Sequence, residues 1–118
     1  YLLLLFLLLS LVRVHADEYL DGKQDTTQVN LLNKQGFDIH LTDHEQTIAK
    51  GQEALDLAQK LNYTNGIAEA YRVLGIGEAY SNNSAQAIAD YLNALSYYKR
   101  AKNLLGQAKV YNNSEHQT

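Results

Sequence analysis

The stretch Thr47–Tyr71 recurs without a gap at a shift of 40, over Ala87–Tyr111. Ile48 falls on Ile88, Ala49 on Ala89, Ala54 on Ala94, Leu55 on Leu95, and Lys60 on Arg100. Gly66 falls on Gly106, Ala68 on Ala108, and Tyr71 on Tyr111. The shared residues are mostly small or apolar and recur at helical spacing, where packing between helices limits side-chain volume. Self-similarity at a fixed period marks an array of supersecondary units. Each unit is too thin to bury its own apolar face, so neighbours must stack on it.

The central unit runs from Gly66 to Arg100 and reads as two amphipathic helices. Ile67, Ala70, Tyr71 and Leu74 form the apolar stripe of the first, and Ile88, Tyr91, Leu92, Leu95 and Tyr98 that of the second. Between them, Ser81-Asn82-Asn83-Ser84 is a run whose side chains bond to their own backbone and stop helices. Asn83 or Ser84 is then placed to cap the second helix.

Tyr71-x2-Leu74-Gly75, then Ala87-x3-Tyr91, then Ala94, resembles the tetratricopeptide repeat family from Gln28 to the end of the chain. There are departures. Glu78 stands where that family has an aromatic residue, Tyr80 comes two residues late, and no Pro ends the repeat. The period is 40 rather than the common repeat of about 34, so longer helices are expected. HEAT-like repeats suit the period but do not explain the spacing from Leu-Gly to Ala-x3-Tyr. The resemblance implies an all-α, right-handed α–α superhelix of about two and a half helix-turn-helix repeats. It implies that Gly75 and Ala87 let the paired helices approach closely, while Tyr91 and Ala94 meet the next repeat. It further implies that the first helix of each pair lines a groove. The groove residues would be Glu69, Arg72, Ile76 and Tyr80, then Lys109, Asn112 and Asn113. Mixed charge, amide and aromatic groups of this kind suit a protein or peptide partner.

Tyr1–Ala16 is an apolar run ending Val14-His15-Ala16, too short for a membrane span of about 20 residues. It reads as a secretory signal peptide cut after Ala16, which places the protein in an exported, periplasmic or extracytoplasmic compartment. The other reading is an uncleaved anchor. Residues 17–27 lack periodicity and are expected to be a mobile leader. Gln28–His40 follows with Val29, Leu32, Phe37 and Ile39 as its apolar members, in the place of the first helix of an earlier repeat. Thr42 or Asp43 begins a helix to about Leu61, with Glu45 three residues after Thr42 in a capping-box arrangement. Its expected stripe is Ile48, Leu55, Ala58 and Leu61. Turns are expected at Asn62–Asn65 and Lys102–Leu105, and a last helix over Gly106–Tyr111. Residues 113–118 do not continue the repeat pattern. The missing initial Met and this half-repeat ending lead to the expectation that the chain is truncated at its C-terminus.

The 118 residues suit one small domain. With no Cys, structural disulfides and thiolate metal sites are excluded. The net charge is −3, and removing residues 1–16 takes away Arg13 alone, leaving 9 basic against 13 acidic residues. That balance argues against a nucleic-acid surface. His40 and His44 are four apart, but Thr42-Asp43 between them reads as a helix start, so no metal site is assigned. Gly75-Ile76-Gly77 has no strand before it and is read as close helix packing, not phosphate binding. Asn62-Tyr63-Thr64, Asn82-Asn83-Ser84 and Asn112-Asn113-Ser114 fit the glycosylation sequon but are read as turn chemistry. The Tyr residues at helical spacing are read as core. No catalytic residue, cofactor or metal is assigned.

Two classes of function remain. The first is a non-catalytic interaction scaffold, resembling the extracytoplasmic sensor regions that precede kinase or DNA-binding output domains in bacterial signalling proteins. A downstream segment would then supply membrane tethering. The second is an accessory repeat domain of an exported enzyme whose catalytic part lies elsewhere.

Overall fold

The computed structural model describes residues 1–115, with side chains at all of these positions except 14 and 16–24. The reading of residues 116–118 and the side chain at the proposed cleavage position, Ala16, lie outside what is described. Among the described residues there are five helices and no strand. They are α1 (Leu2–Asp38), α2 (His44–Lys60), α3 (Thr64–Tyr80), α4 (Ser84–Arg100) and α5 (Leu104–Glu115). The chain is all-α.

The period has a simple origin. Helices α2, α3 and α4 each have 17 residues, and a three-residue turn follows each of them. Each turn holds one residue in the left-handed region: Asn62 (φ 54°), Asn82 (φ 63°) and Lys102 (φ 55°). These residues donate their N–H groups to Gln59, Ala79 and Lys99 O at 3.2, 3.1 and 3.0 Å. The residues after them, Tyr63, Asn83 and Asn103, donate to Ala58, Glu78 and Tyr98 O, each at 2.9 Å. The paired bonds satisfy carbonyls that a helix end leaves open. Asn tolerates the left-handed region, whereas Lys is strained in it.

Several boundaries differ from those read in the sequence. Of the two candidates read for the start of α2, Asp43 is the cap. Its Oδ1 accepts from Gln46 N at 3.1 Å, while Thr42 Oγ1 donates to Ile39 O. Asn83 precedes α4 but makes no side-chain cap bond, and its Nδ2 donates to Glu78 Oε2 at 3.1 Å. The last helix starts two residues before Gly106 and runs on to Glu115, because Asn103 Oδ1 accepts from Gly106 N at 2.9 Å. At the other end, α1 does not begin at Gln28, and its backbone is helical through 17–27 as well. That stretch contains one Gly, and the chain has no Pro; its Asp, Glu, Lys and Gln residues need no periodicity to be helical. Leu2–Leu9 stand exposed along this extension. No helix among the described residues is long and apolar enough to cross a membrane.

The centre of the fold is α3. It is buried nearly all round over Gly66–Gly77, which explains its run of Gly and Ala. Gly75 faces α4: a Cβ there would lie 2.7 Å from Tyr91 Cδ1 and Cε1. Gly77 faces α2: a Cβ there would lie 2.7 Å from Ile48 Cγ1. Gly75-Ile76-Gly77 therefore lets two helices approach opposite sides of α3. One cluster joins Val29 and Leu32 of α1 with Ala54, Leu55 and Ala58 of α2 and Ile67, Ala70 and Leu74 of α3. A second joins Ala68 and Ile76 with Ala87, Tyr91, Ala94 and Tyr98 of α4 and Val110 of α5. Phe37 and Ile39 are half-buried.

The stripe expected on α4 is corrected in part. Tyr91 and Tyr98 are buried, but Ile88 and Leu92 are 60% and 61% exposed, and Leu95 is half-buried. The buried side of α4 is the one that meets α3, and it runs Ala87, Asp90, Tyr91, Ala94, Tyr98. On α2 the buried side is likewise Thr47, Gly51, Ala54, Leu55 and Ala58, with Ile48 and Leu61 half-buried. Close approach selects small residues at these contacts, so the larger aliphatic ones sit at the flanks. Tyr71 is half-buried and stacks on Tyr97 of α4, with centroids 5.8 Å apart.

Candidate functional site

The odd-numbered helices share one side of the molecule, and two adjoining hollows lie between them. The first, of about 580 Å³, has α1 on one wall (Asn30, Asn33, Lys34, Phe37, Asp38), α3 beneath (Glu69, Arg72) and α5 opposite (Lys109, Asn112, Asn113). The second, of about 440 Å³, continues along α3 past Ile76 to Tyr80 and adds His40, Ala79, Asn82, Ser84 and Tyr91. Phe37 and Asn113 belong to both. All seven groove residues expected from the sequence line this one groove: Glu69, Arg72, Lys109, Asn112 and Asn113 in the first hollow, Ile76 and Tyr80 in the second.

A partly buried ion pair forms the floor. Arg72 Nη2 donates to Glu69 Oε1 at 2.6 Å and Nε donates to Oε2 at 3.2 Å. Only 7% of the Arg72 side chain is exposed. A fork of this kind fixes both groups in direction as well as distance. Arg72 Nη1 also donates to Asn113 Oδ1 at 2.8 Å, tying α5 to α3. Its guanidinium lies 5.1 Å from the centre of the Phe37 ring, tying α1 to the same point. From α4, the Tyr98 hydroxyl donates to Glu69 Oε2. One arginine thus joins three walls of the groove.

The charges follow from these contacts. Burial pushes the Glu69 carboxyl upward, but hydrogen bonds from Arg72 and Tyr98 and the positive charges of Arg72 and Lys109 outweigh it, and Glu69 stays below the usual carboxylate range. Burial pushes the Tyr98 hydroxyl up, and the neighbouring Glu69 charge pushes it further. Glu69 is therefore an anion with its oxygens occupied, and Tyr98 is a neutral donor. Lys34 and Asp38 on the α1 wall pair with each other at 2.6 Å.

The second hollow sets the rings of Phe37, His40, Tyr80 and Tyr91 among the polar groups of Asn82, Ser84 and Asn113. Phe37 and His40 have centroids 4.9 Å apart, and His40 meets Tyr80 edge-on at 5.2 Å. His40 Nδ1 lies 2.5 Å from Phe37 O, which holds the ring across the turn after α1. The six residues read as repeat packing lie on α3 and α4. Leu74, Ala87, Tyr91 and Ala94 are buried, Tyr71 is half-buried, and Gly75 is pressed against Tyr91.

Sequence reasoning missed the α1 wall: Asn30, Asn33, Lys34, Phe37 and Asp38, together with His40. The cause is a slip of one residue. From Thr47 onward the repeat relation is a shift of 40, yet the α1 positions that match Ala68, Arg72 and Ile76 in burial and placement are Val29, Asn33 and Phe37, a shift of 39. Helix α1 ends at Asp38 and is followed by a five-residue turn in place of three. The signal was Gly36, which stands 39 before Gly75 and is likewise buried against a neighbouring helix.

Comparison of this chain with protein-family models, with curated proteins and with solved structures finds no match.

Proposed function

We propose that this chain is a non-catalytic scaffold of tetratricopeptide build, a right-handed superhelix that binds a protein or peptide segment in the groove between α1, α3 and α5. The observation that carries this reading is the convergence of the seven expected groove residues on one hollow side, with the Arg72–Glu69 pair as its floor. A floor of paired charge and a wall of amides offer recognition without a free nucleophile or base, as binding modules do. The apolar run Tyr1–Ala16 supports export, and the resemblance to sensor regions of bacterial signalling proteins supports a place upstream of an output domain.

Selection of random twelve-residue peptides on the immobilised full chain tests the reading. Enriched peptides are expected to lose binding to Lys109→Glu/Asn112→Arg, in which two exposed groove residues change, and to keep it with Glu53→Lys on the outer side of α2. Circular dichroism checks that all three chains fold. No enrichment above background, or binding that follows Glu53→Lys instead, contradicts the proposal.

A further inference from the structure

We infer that the outer face of α4 is a contact between two copies of this chain, packed as an antiparallel, two-fold pair of α4 helices centred on Leu92. The contact is independent of the groove: Ala85, Ile88, Ala89, Leu92, Asn93 and Ser96, which form it, line neither hollow.

The repeat supplies its own control. Helices α2 and α4 are related by the shift of 40, and each has one exposed side. On α2 that side carries Glu45, Gln52, Glu53 and Asp56. Their counterparts on α4 are Ala85, Leu92, Asn93 and Ser96, all exposed. From Ser84 to Tyr98 the one charged residue of α4 is Asp90, and it is buried, so the exposed side carries no charge over this length. Ile88 and Leu92 stand out from it into water. Ala85 and Ala89 are exposed on the same helix, where small side chains let a second helix come close. A face meant for water keeps its charges, as α2 does. Three carboxylates lost and an exposed Leu gained mark a face that is covered in use.

Two features make a second copy the occupant. The first is self-complementarity. Leu92 is the central residue of the 17 in α4, so a two-fold axis there sets Leu92 on its own counterpart and Ile88 against Leu95 and Ser96 of the second copy. The second is charge. Lys99, Arg100 and Lys102 are exposed at the C-terminal end of α4, while Glu78, whose Oε2 accepts from Asn83 Nδ2 at 3.1 Å, stands at the N-terminal end. Antiparallel pairing brings the basic end of each copy to the acid of the other, whereas parallel pairing sets the two basic ends together. One helix pair is smaller than the roughly 20–30 residues a side of a standard interface, so a dissociation constant on the order of tens of micromolar is expected.

Sedimentation velocity of the full chain, over concentrations that span this value, tests the inference. The parent chain should pass reversibly from monomer to dimer. Leu92→Glu, which brings two carboxylates together on the axis, should weaken the dimer more than about tenfold. Leu5→Glu, in the exposed apolar start of α1, should leave that step unchanged. Circular dichroism checks that each variant keeps its helices. The chain has no Cys, so single cysteines report the orientation by disulfide crosslinking. Leu92→Cys should crosslink with itself. Ile88→Cys should crosslink with Ser96→Cys in a mixture but not with itself, because its two copies lie about 12 Å apart along the helices at roughly 1.5 Å per residue, beyond the reach of a disulfide. A monomer at every concentration, association that follows Leu5→Glu and ignores Leu92→Glu, or Ile88→Cys that crosslinks with itself as readily as with Ser96→Cys, would overturn the inference.

Discussion

Replacing Gly75 with Ala tests how the central helices come together. A Cβ at this position would lie 2.7 Å from two ring carbons of Tyr91, closer than real contacts allow. The ring is buried among Ile76, Ala87, Ala94 and Tyr98 and has little room to yield. Overpacking of this kind costs about 1–3 kcal/mol, against a gain of about 1 kcal/mol in helix propensity for Gly→Ala. The net expectation is a loss of up to about 2 kcal/mol. Gly51→Ala is the internal reference. It makes the same propensity gain on α2, but its Cβ would meet Leu74 Cγ at 3.0 Å and Leu74 N at 3.3 Å, looser contacts than the 2.7 Å at Gly75. Urea unfolding of both variants and of Tyr91→Leu, alone and combined with Gly75→Ala, gives the coupling between the two positions. The double variant should be more stable than the sum of the single losses by about 1–2 kcal/mol, because the smaller side chain removes the clash. Additive losses, or a Gly75→Ala variant as stable as Gly51→Ala, would refute the close approach of α3 and α4 at this point.

Other consequences follow from the turns and the buried charges. Lys102→Gly should stabilise the chain by about 0.5–1 kcal/mol, read as a raised Tm, because glycine occupies the left-handed position without strain; no gain would mean that the turn is not as described. Arg72→Met should cost about 3 kcal/mol in urea unfolding by leaving Glu69 buried without its partner, and Arg72→Met/Glu69→Gln should recover part of that loss. The two perturbed carboxyls give opposite pH profiles. Glu69 has a depressed value in the fold, so its contribution is present above its ordinary 4.5 and lost as pH falls below that; Glu69→Gln should flatten this part of the acid limb. Burial raises Asp90, whose carboxylate meets only Gln86 at 3.1 Å and lies near Glu78. Its folded form holds the proton more tightly, so stability falls as pH rises above its ordinary 3.8, and Asp90→Asn should be more stable than the parent at pH 7 with the advantage vanishing below that value.

Much of this architecture is legible in the residues because close packing writes itself as volume. Gly75, Ala87 and Ala94 are small where α3 and α4 meet, and the resemblance to the tetratricopeptide pattern singled them out. The groove face of α3 and α5 followed, since Glu69 and Lys109 keep one register. The α1 wall did not, because the interval from Phe37 to the start of α2 is one residue shorter than that from Ile76 to the start of α4, which moves Asn33 and Phe37 by one position out of the repeat register. The flanks of α4 were misjudged for another reason. Hydrophobicity marks Ile88 and Leu92 as core, but burial depends on which neighbours are present, and α3 covers the side bearing Tyr91 and Tyr98. Nor does composition reveal that one arginine on α3 reaches Glu69, Phe37 and Asn113 together; that juxtaposition spans 41 residues of sequence at its widest.

The central claim is that partners bind between α1, α3 and α5, and chemical-shift mapping tests it most directly. A uniformly labelled full chain would be titrated with an enriched twelve-residue peptide from the selection. The account predicts shifts confined to Asn30, Asn33, Phe37, Arg72, Tyr80, Lys109, Asn112 and their neighbours, saturating together with one dissociation constant. Shifts gathered instead on the exposed side of α2 around Gln52, Glu53 and Asp56, with the groove residues unmoved, would contradict it.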